Sequence, residues 1–225
     1  MDFSLSDDQI AIQDTARRFA AERLAPDYQK RETEGAFDRA LLREMGKLGL
    51  IGVNLPSEFG GLEQDAVTAG LVIECIAHGD FNVSYVQLIG TLMGTIIAHH
   101  ARPELAAEVV TGVASGEILV ALGLTEPGGG SDAAAIACAA RRDGDDWVLD
   151  GAKSWVSNAA SADLLSVYAQ TGTSADWRGI ACFLVPTYTP GVVREDAYAM
   201  LGGHALGTGG IRFEGCRVGD DAALL

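Results

Sequence analysis

At 225 residues, with 48% apolar content and charges of both signs, the chain fits a soluble globular protein of one large domain or two small ones. Its 16 Lys and Arg against 31 Asp and Glu give a net charge of −15, which excludes nucleic-acid binding through a basic surface. The Arg17-Arg18 and Arg141-Arg142 pairs are isolated and read as solvated faces.

Cys75, Cys138, Cys182 and Cys216 are far apart, with no metal-ligand or disulfide spacing. They read as buried free thiols in a reducing cytosol. His78, His99, His100 and His204 show no ligand spacing either, so no metal is expected. Met1-Asp2-Phe3-Ser4 lacks the basic and apolar regions of a leader, and a cytoplasmic location is expected. The most apolar helical stretch, 83–98, falls short of the ~20 residues that span a bilayer and reads as a core helix, with no membrane partner expected.

Helices come first. Ser6-Asp7-Asp8-Gln9 is a capping box, and Ile12, Ala16, Phe19, Ala20 and Leu24 form a helical stripe that Pro26 ends or bends. Asp38 caps a second helix carrying Leu41, Leu42, Met45 and Leu48. Further helices are predicted over 65–77, 83–99 and 103–114, the last opening on Pro103. Phe81, Tyr85 and Leu88 are expected in the core. After Gly116 the texture changes to strands over 118–124, 137–142, 147–149, 164–169, 180–185 and 209–213. Asp143-Gly144-Asp145-Asp146 makes a hairpin turn, and the polar loop 171–178 joins two of the strands. The expected fold is α+β: a helical domain over 1–116 followed by a β-barrel or sandwich domain over 117–225.

Two segments carry chemistry. Leu122-Gly-Leu124-Thr125-Glu126-Pro127-Gly128-Gly129-Gly130-Ser131-Asp132 ends an apolar run in hydroxyls and glycines. Glycines there permit φ > 0 and close approach to a ligand, and successive N–H groups can cradle an anion with Ser131 as an extra donor. Gly128, Gly130 and Ala133 also fit G-x-G-x-x-A, with Asp150 in the place of a ribose ligand. That dinucleotide reading is rejected: the hairpin at Asp143 follows too soon for a crossover helix, and the upstream half is helical. In Lys153-Ser154-Trp155-Val156-Ser157-Asn158, Trp155 and Ser157 are expected on one strand face, a platform for a planar ligand with polar edges.

Together the two segments resemble the paired signatures of the acyl-CoA dehydrogenase family. Further matches are Gly46-x-Leu48-Gly49, Leu55-Pro56-x-x-Phe59-Gly60-Gly61, Phe183-Leu184-Val185-Pro186 and Thr189-Pro190-Gly191. The resemblance implies an FAD flavoprotein that dehydrogenates an acyl-CoA thioester across Cα–Cβ and passes electrons to an electron-transfer flavoprotein. It implies a homo-oligomer, dimeric or tetrameric. It places Leu122, Leu124 and Thr125 beside the flavin ring, and Gly130 and Ser131 by the pyrophosphate, with Ser131 also at the thioester's pantetheine arm. Trp155, Val156 and Ser157 flank the isoalloxazine. The family's catalytic base, usually a glutamate, comes from a C-terminal four-helix domain, whereas this chain ends at Leu225, near the end of the middle domain. No catalytic residue is therefore assigned here. Glu126 reads as a structural member of its turn rather than a base. The segment before Thr208, Gly203-His204-Ala205-Leu206-Gly207, departs from the Arg, Ser and Asp that the family often carries. The helical region is similar to members acting on cyclic acyl-CoAs, and the resemblance implies that the Phe81–Leu88 region, otherwise expected in the core, borders the acyl chain. Two other readings stay open: a subunit that shares a flavin site with a partner chain, and a relative of flavin monooxygenases or nitroalkane oxidases.

Overall fold

The computed structural model describes residues 4–172, 174 and 176–224. Met1 to Phe3, read above for a leader, lie outside them, as do two residues of the 171–178 loop and Leu225. Six α-helices come first: α1 (Asp7–Phe19), α2 (Tyr28–Glu34), α3 (Arg39–Lys47), α4 (Ala66–Gly79), α5 (Phe81–His100) and α6 (Pro103–Ser115). Eight strands follow: β1 (Val120–Gly123), β2 (Ala139–Asp143), β3 (Asp146–Val156), β4 (Leu164–Gln170), β5 (Ile180–Pro186), β6 (Val192–Ala197), β7 (Gly209–Gly219) and β8 (Ala223–Leu224).

The helix starts follow from side-chain caps. Ser6 and Gln9 form the expected reciprocal box, and Asp38 and Asp65 accept from Ala40 N and Thr68 N, each satisfying donors left orphaned at a helix start. Pro26 bends the chain rather than ending helix. A π-helical stretch, Ala20–Leu24, and a 3-10 turn, Ala25–Asp27, carry α1 into α2. Asp80 caps α5 through Asn82 N and Val83 N, so that helix starts two residues before the predicted 83. At 20 residues α5 is long and apolar enough to cross a membrane by length and composition, but most of it is buried inside the protein, as a core helix is.

The strands form one sheet in the order β6-β7-β3-β2-β4-β5-β8, with β1 parallel to β4. The β2–β3 hairpin turns at Gly144 (φ 67°), as its sequence predicts, and only a 3-10 turn, Ala133–Ala135, precedes it. No crossover helix is present there, and Asp150 is occupied by Arg141 and Gly215 N. β3 runs to Val156 rather than stopping at Leu149, because Gly151 (φ 143°) carries the chain past Cys138, where a β-carbon would sit 2.7 Å from the Cys138 backbone.

Two apolar clusters make the core. One joins the helices to Leu119, Val120, Leu164 and Leu184; the other fills the sheet around Trp147, Phe183 and Phe213. All four cysteines are free and buried. Helices and sheet are tied at β1, where Asp163 accepts from Leu119 N (2.7 Å) and pairs with Arg39 of α3. Within the helices, Gly46 of α3 lets α6 approach so closely that a β-carbon would lie 2.2 Å from the Ser115 carbonyl oxygen. Gly46→Ala is therefore expected to cost about 1–3 kcal/mol by overpacking, read from urea unfolding. A change below about 0.5 kcal/mol would show that α3 and α6 can slide apart freely.

Candidate functional site

The two signature segments meet side by side. β1 delivers Leu122 and Leu124 to the head of the turn, where both are half-buried. Ser154 N donates to the Thr125 carbonyl at 2.9 Å. Lys153 Nζ donates to the Leu124 carbonyl at 3.1 Å and to Glu126 Oε1 at 2.7 Å. The Lys153 side chain is wholly buried, and Gly123 leaves room for its stem: a β-carbon there would be 3.3 Å from Lys153 Cγ. Glu126 also accepts from Ala137 N (2.8 Å) and Cys138 N (2.9 Å). Burial pushes its carboxyl pKa up, but the Lys153 ammonium and the two amides outweigh this and hold it below the ordinary glutamate value. Glu126 is thus a structural brace, as expected. Lys153 has no role in the sequence-based expectation; the available signal is a lysine and a glutamate of opposite charge, one in each signature.

The glycines behave differently from the expectation. Gly128, Gly129 and Gly130 all have negative φ, so the turn is not a nest of alternating helical hands. What they supply is clearance: a β-carbon at Gly128 or Gly129 would meet nothing within 4 Å. The tight turn is closed by the paired Glu126 and Gly129 backbones. Gly130 and Ser131 are exposed, and no protein acceptor among the described residues takes the N–H of Gly128, Gly130 or Ser131. These donors remain available to an anion. Behind the turn lies a cleft of about 480 Å³ that reaches Ile136, Cys138 and Gly151.

Trp155 and Ser157 do not share a strand face. The β3–β7 register shifts between Lys153 and Val156, Trp155 adopts φ 57°, and the strand ends at Val156. This bulge swings the indole outward, leaving it 62% exposed and edge-on to Tyr198 at 4.8 Å between ring centres. Ser157 is half-buried just beyond. Val156 is buried in the sheet core, so only its backbone can face a ligand. Asn158 then takes φ 64° and donates to the Val120 carbonyl.

Of the α5 residues expected in the core, Phe81 and Leu88 are on the surface, 50% and 42% exposed, whereas Tyr85 is half-buried against the core and takes Phe81 edge-to-face. Leu92, 47% exposed, lies one turn beyond Leu88. Phe81, Leu88 and Leu92 form an exposed apolar stripe at helical spacing. Nearby, His99 Nδ1 meets the Thr95 carbonyl at the end of α5.

Residues 6–117 match the acyl-CoA dehydrogenase N-terminal domain model and residues 121–216 the middle domain model. The chain belongs to the acyl-CoA dehydrogenase family. It is 34% identical over 218 residues to human mitochondrial short-chain specific acyl-CoA dehydrogenase, covering 96% of this chain and 52% of that protein. It is 33% identical over 225 residues to benzylmalonyl-CoA dehydrogenase of Aromatoleum aromaticum, covering all of this chain and 59% of the relative. Among solved structures, a glutaryl-CoA dehydrogenase from Mycobacterium smegmatis in complex with FADH2 superposes with a TM-score of 0.90 at 32% identity, covering 98% of this chain and 56% of that one. The chain thus spans little more than half the length of these relatives.

Proposed function

We propose that this chain forms the flavin-holding part of an FAD-dependent acyl-CoA dehydrogenase. The observation that carries the reading is the pairing of an exposed, backbone-held indole with a turn of free amides, braced by Lys153 and Glu126. The donor set suits FAD: the indole face of Trp155 offers stacking, and the Ser157 hydroxyl and the backbone of Val156 offer polar contacts at the ring edge. Leu122, Leu124 and Thr125 would border the ring. The amides of Gly130 and Ser131 would hold the pyrophosphate, and Ser131 would also meet the pantetheine arm. FAD, when bound, would supply a hydride acceptor for the substrate's β-hydrogen, while the protein supplies position and electrostatics.

Glu126 is a poor base, since Lys153 and two amides stabilise its carboxylate and hold its pKa below the ordinary glutamate value. The α-proton is assigned to a group outside this chain. The α5 stripe is read as one wall of the acyl site. Its aromatic pair, Phe81 and Tyr85, fits a bulky or cyclic acyl group, and the benzylmalonyl-CoA relative agrees with that class. An electron-transfer flavoprotein is the proposed acceptor, and a homo-oligomer the proposed assembly.

The test is anaerobic reduction of the full-length, FAD-loaded protein, with the part that supplies the base present, by linear, branched and cyclic acyl-CoAs, followed as loss of flavin absorbance. Ring-containing thioesters are expected to reduce it fastest. Replacing Phe81 by Ala should erase that preference, lowering kcat/KM for ring substrates about tenfold more than for butyryl-CoA, as expected for loss of one aromatic contact. No bleaching by any thioester would sink the reading, and oxygen uptake without an acceptor protein would favour oxygenase chemistry instead.

A further inference from the structure

The strand pair β6–β7 is joined by residues 198–208, a loop whose sequence departs from the family pattern. Its turn, His204–Leu206, is bracketed by two glycines in the left-handed region, Gly203 (φ 77°) and Gly207 (φ 57°). Glu32 of α2 reaches into this turn. Its carboxylate accepts from Gly203 N (2.7 Å) and His204 N (3.1 Å), and it lies 3.0 Å from His204 Nδ1. Asn82, at the start of α5, donates to the same carboxylate at 3.0 Å and accepts from Leu206 N at 3.2 Å. Arg31, adjacent to Glu32, is buried against Asp80, the cap of α5, and also donates to the Leu24 carbonyl. Helices α2 and α5 therefore hold one turn through a single polar cluster.

The other side of the loop is sewn to the flavin platform. Asn158 N donates to the Leu206 carbonyl at 3.0 Å, and Ala160 N to the Gly207 carbonyl at 3.2 Å. Tyr198 closes the loop through its N–H to Thr208 and stands against Trp155. A glutamate in the last turn of a short helix faces the negative end of the helix dipole, a cost that its donors must offset. His204 joins the cluster through both ring nitrogens. Its Nδ1 faces Glu32 and its Nε2 the Met200 carbonyl at 2.9 Å. Both partners are acceptors, so only the imidazolium satisfies both. Besides Glu32, the titratable groups around the ring are Glu34, which lines the same cleft on α2, and the Arg31–Asp80 pair behind.

We propose that Glu32 and His204 form a clasp that positions the 198–208 loop, and through Tyr198 and Asn158 the Trp155 platform, against the flavin. Glu32 and His204 are positioning residues, and the inference rests on the flavin reading above. Removing either side chain takes away the contact between the His204 ring and the Glu32 carboxylate, so the clasp loosens.

The test compares wild type, Glu32→Gln, His204→Gln and His204→Arg, using FAD dissociation, thermal unfolding and amide exchange. His204→Gln should weaken FAD about tenfold, the loss of one charge-assisted hydrogen bond. His204→Arg keeps a cation opposite Glu32 and should hold FAD more tightly than His204→Gln. Glu32→Gln should weaken FAD about tenfold and speed exchange at Gly203 and His204. In a Trp155→Ala background it should add little, since the platform it positions is gone. Equal FAD affinity in His204→Gln and His204→Arg would overturn the proposal, as would a Glu32→Gln that lowers the midpoint temperature with FAD affinity untouched. If Glu32→Gln does not fold, His204→Gln carries the same comparison. A wild type that holds no FAD sinks the flavin reading. In that case the exchange rates still decide the clasp, and unchanged protection at Gly203 and His204 would refute it.

Discussion

Lys153→Met is expected to destabilise the protein by about 3–5 kcal/mol, because it leaves the Glu126 carboxylate nearly buried and without its cation. The long Met side chain keeps most of the apolar stem, so the loss reports on the ammonium rather than on a cavity. Replacing a buried ion pair by two apolar residues is often neutral. Here it should not be. Glu126 also accepts from Ala137 N and Cys138 N, and in a Lys153→Met, Glu126→Leu double variant the exposed Ala137 amide can turn to water but the buried Cys138 amide is orphaned. An orphaned buried donor costs about 1–3 kcal/mol, so the double variant should stay below wild type. The pH dependence has a definite sign. The folded-state pKa of Glu126 lies below its unfolded value, so its contribution is complete above the ordinary glutamate range and is lost as pH falls through the lowered pKa. Urea unfolding of wild type and Glu126→Gln between about pH 3 and about pH 7 should show curves converging only at the acid end. A Lys153→Met loss under about 1 kcal/mol would mean that the turn is held by its backbone bonds alone.

The sequence was most legible where structure is local. Ser6, Asp38 and Asp65 announce their helices because a cap needs only a side-chain oxygen and the amides two or three residues on. Asp80 has the same chemistry, yet the start of α5 was read late, since Asn82 is a poor helix former and its amide is spent across the chain on Glu32 and Leu206. The strand β6 is absent from the expected strands because it runs through Arg194, Glu195 and Asp196, charges that suit an exposed edge and hide the apolar alternation. The same long-range dependence limits the site. Both signatures were visible, but the Lys153–Glu126 contact joins residues 27 apart. The outward swing of Trp155 depends on a register shift against β7, which no local pattern encodes. Phe81 and Leu88 looked like core because they are apolar at helical spacing, and spacing alone does not say which face of a buried helix stays uncovered.

Trp155→Ala is expected to raise the FAD dissociation constant about 10- to 100-fold while changing unfolding free energy by less than about 1 kcal/mol. The asymmetry follows from exposure. An indole that is 62% exposed buries little area against the protein itself, chiefly its edge contact with Tyr198. What it offers is an open face, and a stacking ligand recovers that area only when bound. The backbone gives a second handle. Trp155 sits at φ 57°, where a side chain costs about 1–2 kcal/mol, and alanine keeps that cost while glycine removes it. Trp155→Gly should therefore unfold at or above the temperature of Trp155→Ala and yet lose FAD to the same extent. Trp155→Phe, which keeps a smaller ring, should fall between wild type and alanine in FAD affinity. The readouts are flavin fluorescence on dilution for affinity and calorimetry for unfolding. If alanine and glycine lower stability as much as they lower FAD affinity, the indole is part of the packing and the platform lies elsewhere. If glycine restores stability and alanine does not, while both release the flavin, the left-handed turn at Trp155 is strain held to present the ring.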